Sequence, residues 1–268
     1  MYLEYWGLQE KPFQNTADPR FLCMSPQHEE GLVRLKYAVQ DYKFCALLTG
    51  VFGTGKTLLA QALIDSLDRD KFNTAYIFNP QLNPIELLRE IVYQLGVHDR
   101  VPEQKSEILH RLTDILSDNY SEGRHTVVIV DEAHLIEDRL VFEELRLLLN
   151  FQKKDKPLLT LILVGQPELR EKIMHMKPFD QRIAIRYHLK GLKADETREY
   201  IIHRLKVAGA ERQIFNESCF QMIYESTGGI PRRINQVCDL ALLAAFGMNL
   251  PEVTPELIRE AAMDHQAL

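Results

Sequence analysis

Five short runs of β-branched and apolar residues recur up to residue 189: FCALLTG (44–50), TAYIFNP (74–80), TVVIVDE (126–132), LLTLILVG (158–165) and IAIRYHL (183–189). None shows clear polar alternation, which predicts parallel strands buried on both faces. Between them, helical spacing of apolar residues runs through 57–67, 84–95, 105–119, 139–151 and 167–176. Strand and helix in repeated alternation predict a doubly wound α/β sheet. After Leu192 the strand runs stop, and Asp195 to Val207, Asn216 to Ser226, Pro231 to Gly247 and Thr254 to Ala267 all read as helices. The predicted organisation is an α/β domain over 1–192 and a helical domain over 193–268. Asn83 before Pro84 reads as an N-cap followed by proline at the first helical position, and Gly228-Gly229 before Pro231 marks a second start in a similar way.

Charge and composition narrow the function classes. The 268 residues hold 32 Lys+Arg and 38 Asp+Glu, a net charge of −6, with 46% hydrophobic residues, an ordinary soluble globular balance. Residues 193–268 carry 8 Lys+Arg and 11 Asp+Glu, a net of −3, which leaves −3 for the rest. Phosphate backbones demand clustered cations, so DNA is a disfavoured partner that would need a local basic patch. The longest apolar stretch, Cys238 to Leu250, contains Asp239 and falls short of the roughly 20 residues of a membrane helix. The N-terminal MYLEYWGL has no basic residue before its apolar part and does not read as a secretory signal. The expected location is cytoplasmic, peripheral to the inner membrane only through partners. Cys23, Cys45, Cys219 and Cys238 form no C-x-x-C pair and the histidines no H-E-x-x-H, so the cysteines read as packing residues.

The chemistry is concentrated at strand ends. Gly50-Val51-Phe52-Gly53-Thr54-Gly55-Lys56-Thr57 matches G-x-x-x-x-G-K-[ST], directly after one strand run and opening the helix that continues through Leu58. Its glycines let backbone N–H groups wrap a phosphate, and the helix N-terminus adds partial positive charge. Lys56 is expected on the β- and γ-phosphates of ATP and the Thr57 hydroxyl on Mg²⁺. At the end of VVIVDE, Asp131 is the expected Mg²⁺ residue and Glu132 the group that orients or deprotonates the attacking water. The string Asp131-Glu132-Ala133-His134 also labels one helicase group, but two α/β lobes do not fit in 268 residues. His134 therefore reads as a packing or helix-start residue. Gln166 follows the LLTLILVG run. If that strand lies between the phosphate-loop strand and the Asp131 strand, its amide can hold the nucleophilic water in line. Arg182 and Arg186 flank the start of the last strand, where solvated surface arginine is the simplest reading. Arg232, at the first turn of a helix, opposes the helix dipole and suggests a compensating anion such as a nucleotide phosphate.

Together these residues resemble the ExeA/GspA-type AAA+ ATPases, a group that includes MshM-like pilus-biogenesis ATPases, with TniB/TnsC-type transposition regulators more distant. The resemblance starts at Tyr5-Trp6-Gly7-Leu8 and Pro12-Phe13, and continues through Asp18-Pro19-Arg20-Phe21 and Ser25-x-x-His28. It then takes in GVFGTGKT, VVIVDEAH, GQPEL, QRIAIRYHL and GGIPRRIN. It implies a P-loop NTPase fold, a five-stranded parallel AAA+ core with a C-terminal α-helical lid. It also implies sensor positions at Gln166 and Arg232, an arginine finger most readily at Arg182, and an adenine pocket near Pro12, Phe13 and His28. Val51 and Leu58 stand where the family often has Glu and Thr. The implied activity is ATP hydrolysis in a nucleotide-dependent homo-oligomer, such as a hexamer, acting on protein partners of a secretion or pilus system. The alternatives are an ATP-dependent DNA-binding regulator of transposition and a slowly hydrolysing switch. ExeA-like proteins commonly continue into a membrane span and a peptidoglycan-binding domain, so direct cell-wall action is not expected of these residues, and specificity is expected to come from partners.

Overall fold

The computed structural model describes the chain except Met1, 16–18, Leu22, Arg100, 267–268 and the side chains of Pro19 and 264–266. Asp18 of the resemblance and Ala267 at the last helix end lie outside the described residues. In chain order the elements are α1 (Leu3–Trp6), α2 (Pro26–Gln40), β1 (Cys45–Gly50), α3 (Lys56–Ser66), β2 (Phe72–Ile77), α4 (Pro84–Gln94), α5 (Lys105–Ser121) and β3 (His125–Val130). Then come α6 (Arg139–Leu148), the short strands β4 (Gln152–Lys153) and β5 (Lys156–Pro157), β6 (Leu159–Gly165), α7 (Pro167–Met174), α8 (Lys177–Asp180) and β7 (Ile183–Leu189). Four helices follow: α9 (Ala194–Val207), α10 (Glu217–Thr227), α11 (Pro231–Gly247) and α12 (Pro255–Gln266).

All five predicted strands form one parallel sheet in the order β2-β3-β6-β1-β7. Every position of β1, β3 and β6 is buried, as uninterrupted apolar runs require. The two edges depart from that expectation. In β7, Ala184, Arg186 and His188 are exposed, and β2 is mostly half-buried. An edge strand has a neighbour on one side only and tolerates polar positions facing water.

Contacts divide the chain into two compact units: residues 28–52 with 56–189, and residues 1–27 and 53–55 with 190–268. The first is the α/β unit, whose core is built from β1, β2, β3 and β6 residues packed with α4, α5 and α6, among them Leu47, Leu88, Leu112, Val128 and Leu161. The second is helical. Its lower bound lies near the boundary read at 192, but residues 1–27, read from the sequence as part of the α/β domain, pack with the helices. Trp6 and Phe13 are buried in one core with Ile201, Phe215 and Leu242. Trp6 Nε1 donates to Leu242 O at 3.2 Å, Tyr5 hydroxyl to Leu250 O at 2.7 Å, and Phe13 meets Phe215 edge-on at 6.1 Å. The particular N-terminal string is thus a packing strap. Its first 27 residues hold no strand among those described, so no run of sequence shows to which core they belong.

Asn83 caps α4 as expected, accepting from the N–H groups of Ile85 and Glu86, with Glu86 returning a bond to the Asn83 N–H. The Gly228-Gly229 pair works differently from the reading above. Gly228, at φ +61°, ends α10, while Ile230 is the N-cap of α11 and offers no side-chain cap. Gly229 has φ +68°, and a Cβ there would lie 1.9 Å from Leu192 O. Only glycine permits this backbone crossing, which Leu192 N–H closes by donating to Gly229 O at 2.7 Å.

Candidate nucleotide site

Three central strands of the α/β unit end at the same edge of the sheet. β6 lies between β1 and β3, with Thr49 opposite Gly165 and Val130 opposite Leu163. The condition set for Gln166 therefore holds: it stands at the tip between the phosphate loop and Asp131. After Gly50, Val51 and Phe52 are exposed, and Lys56 begins α3 as a buried residue whose Nζ donates to Val51 O at 3.1 Å. The ammonium is thereby folded back across the mouth of the loop. Thr57 and Leu58 follow in the first turn of α3, both exposed.

Gly53, Thr54 and Gly55 group with the helical unit. Gly53 and Gly55 have φ +84° and +96°, and Thr54 is fully buried. Arg232, in the first turn of α11, donates its backbone N–H to Gly53 O at 3.3 Å, and a Cβ on Gly53 would lie 2.7 Å from the Arg232 Cβ. Glycine is needed at position 53 for both its φ and its space. A loop with left-handed glycines and a returning lysine fits a polyphosphate, and the hydroxyl and carboxylate of Thr57 and Asp131 are hard oxygen donors suited to Mg²⁺.

Asp131 is 2% exposed. Its Oδ1 accepts from the Glu132 N–H at 2.8 Å and its Oδ2 from the Tyr76 hydroxyl at 2.9 Å. Burial, and then the charges of Asp131 and Glu132, push the Tyr76 phenol well above its usual range, so it stays a donor. Glu132 adopts φ +49°, a left-handed conformation that costs an ordinary residue about 1–2 kcal/mol. Its side chain is 33% exposed to solvent.

The sequence reading missed three residues here. Tyr76 comes from the neighbouring strand β2. Lys172, from α7, donates to His134 O at 2.6 Å and Ile136 O at 2.9 Å. His134, read as a packing or helix-start residue, sits in a 3-10 turn, Ala133–Leu135, and also has Nδ1 3.3 Å from Glu132 Oε2 and Nε2 2.9 Å from the Gln166 amide nitrogen. Its adjacency to Glu132 was visible in the sequence, whereas its contact with Gln166 spans 32 residues and depends on the order of the strands.

Within the α/β unit, Arg182 and Arg186 lie apart from this cluster. Arg182 donates to Asn150 Oδ1 at 3.1 Å and stacks 5.0 Å over Phe44, and Arg186 binds the backbone and side chain of Asp180, both at 2.9 Å. Ile183 pairs with Cys45 and Leu189 with Gly50, so Arg182 stands beside the beginning of β1 while the phosphate loop follows its end. At about 3.3 Å per residue, β1 keeps Arg182 far from its own loop. Pro12 and Phe13 are buried in the helical unit, and His28 is buried on α2 in the α/β unit.

A phosphate loop after β1, paired carboxylates after β3, a polar tip on the strand between them and the 2-3-6-1-7 order define a P-loop NTPase of the AAA+ class. Residues 39–173 match the AAA domain family, and the chain belongs to it. It is 40% identical over 253 residues to general secretion pathway protein A of Aeromonas hydrophila, covering 92% of this chain and 45% of that protein. The chain thus spans less than half the length of the curated relative it matches. Among solved structures, the Aeropyrum pernix ORC2 protein in its ADPNP-ADP complexes is 20% identical with a TM-score of 0.68, over 97% of this chain and 72% of the other. Drosophila ORC bound to DNA is also 20% identical, with a TM-score of 0.72 over 97% and 65%. The Thermotoga maritima RuvB Holliday junction branch migration motor is 17% identical, with a TM-score of 0.60 over 90% and 72%. At such identities the likeness is one of fold. Among the described residues no helix is long and apolar enough to cross a membrane.

Proposed function

We propose that the chain hydrolyses ATP to ADP and phosphate with Mg²⁺, and uses the cycle in a homo-oligomer to assemble or remodel a protein complex of a secretion or pilus system. The observation that carries this reading is the convergence of Lys56, Asp131, Glu132 and Gln166 at the ends of three adjacent central strands. Lys56 and the loop amides bind the phosphates, and Thr57 and Asp131 would hold Mg²⁺, which when bound would supply positive charge for the phosphate oxygens. Glu132 takes the proton of the attacking water, and Gln166 holds that water in line. Arg232, whose backbone N–H donates to Gly53 O, is the sensor cation. Arg182 is the finger, and its place beside the start of β1 leaves it to serve a neighbouring subunit. Pro12, Phe13 and His28 as the adenine-lining set rest on the resemblance alone. The secretion setting rests on the name of the 40% identical relative, and the location at the cytoplasmic side of the inner membrane follows from that setting.

Steady-state phosphate release tests the core of the proposal. Wild type must exceed Lys56→Ala and Glu132→Gln by orders of magnitude while Glu132→Gln still binds ATP, and equal turnover would sink it. Mixing Arg182→Ala with Lys56→Ala subunits must restore partial activity if the finger acts in trans.

One observation favours the DNA-binding reading. The β4–β5 turn exposes Lys153, Lys154 and Lys156, a local basic patch on a chain of net negative charge. ATP-dependent DNA binding that weakens steeply with salt, and is lost when all three lysines become alanine, would establish it.

A further inference from the structure

His134 is where the ends of β3 and β6 meet through side chains. The ring is only 11% exposed, with Gln166 on its Nε2 side and Glu132 on its Nδ1 side. Nδ1 is shielded from solvent and makes no well-aligned hydrogen bond; the Glu132 carboxylate, 3.3 Å away, is what it faces. An amide nitrogen can only donate, so Nε2 accepts from Gln166 and the ring proton lies on Nδ1, on the side of the ring next to Glu132 but not aligned with its carboxylate. The turn carrying the ring is held by Lys172 on the carbonyls of His134 and Ile136. It also packs closely on β6: a Cβ on Gly165 would lie 3.1 Å from His134 N.

We infer that His134 is a positioning residue that ties Gln166 to Glu132, so that the side chain facing the γ-phosphate and the side chain activating the water are set as one unit. The inference rests on the ATPase reading above. Glu132 takes the proton of the water, whose oxygen bonds to the γ-phosphorus as the bond to the departing ADP oxygen breaks. Any pull on the Gln166 amide by a bound γ-phosphate reaches Glu132 through the ring.

In His134→Ala, kcat for phosphate release should fall about 10²-fold, the cost of misplacing a reacting group by about an ångström. KM, the affinity for a fluorescent ATP analogue and Tm should stay at wild-type values. His134→Asn, whose amide nitrogen can take the place of Nδ1, should recover part of kcat. Adding His134→Ala to Gln166→Ala should cost little more than Gln166→Ala alone, because the Gln166 change already removes the shared contact. Wild-type kcat in His134→Ala, rescue by Leu rather than Asn, or losses that multiply in the double variant would each overturn the inference. The nitrogen-15 imidazole spectrum of the nucleotide-free protein reads the same contact without turnover. The Nδ1-protonated tautomer supports it, and the Nε2-protonated one overturns it. Failure of the ATPase reading looks different: wild type would release no more phosphate than Lys56→Ala, which removes the reaction and the inference together.

Discussion

Each unit of the molecule is threaded by a polar network, and the two networks differ in how completely they are satisfied. In the helical unit Arg204, 5% exposed, donates to Pro12 O, Gln14 O and the Tyr200 hydroxyl. Tyr200 donates to Asn235 Oδ1 at 2.9 Å, and Asn235 donates to Asn15 Oδ1 at 2.8 Å. The guanidinium also lies 4.9 Å over Phe21. In the α/β unit the chain Tyr76, Asp131, Glu132, His134, Gln166 ends on a buried ring nitrogen with no aligned partner and on a strained, part-exposed glutamate. A closed network specifies a packing arrangement, because each lost partner leaves a buried group unpaired. An open one, carrying backbone strain, fits a place where a ligand completes the set.

Substitutions can break this contrast. The largest expected effect is that of Glu132→Gln: phosphate release should fall about 10²–10⁴-fold, the range for losing a general base, with Tm unchanged in a thermal melt. Arg204→Ala should do the opposite. It should cost roughly 4 kcal/mol of unfolding free energy in a urea titration, since three carbonyl and hydroxyl oxygens lose a buried cation, while turnover per folded molecule persists. If both variants lost stability, or both lost only turnover, the contrast would fail.

A third prediction sharpens the contrast inside the α/β unit, at the opposite end of β3. There His125 Nε2 pairs with Thr160 Oγ1 at 2.9 Å, and the Thr160 hydroxyl donates to Lys43 O at 2.7 Å, a closed arrangement. Burial pushes His125 down to about 4, so the folded protein refuses a proton that the unfolded chain accepts. The stability this histidine contributes is complete above about pH 6.5 and is lost as pH falls through about 4, by at most about 3 kcal/mol. His125→Gln should flatten that part of the stability-pH curve measured by denaturant titration. The smallest effect belongs to Asn83→Ala, which removes the α4 cap and should cost about 1 kcal/mol with no change in turnover.

Most of the chemistry was legible because it is local. Gly50 to Thr57 are consecutive, Asp131 and Glu132 are adjacent, and the runs that carry them are buried strands whose apolar continuity is a property of each segment. The change after Leu192 from strand runs to helices was legible for the same reason, since it is a change of local periodicity. The exposed positions of β7 were not legible in the sequence: its run reads as buried on both faces, although it contains Arg186 and His188, because no segment carries its own place in a sheet.

What the sequence determined by itself, then, is the five sheet strands, the helices between and after them and the two consecutive motifs, though not α2 (Pro26–Gln40), because propensity, periodicity and consecutive motifs act over a few residues. The tertiary structure alone decided which strand ends stand together, that residues 1–27 pack with α9 to α12 through Trp6, Phe13 and Arg204, and that His134 lies between Glu132 and Gln166. Each of these joins residues far apart in the chain, and such contacts form only when the whole core has chosen its strand order and its packing partners.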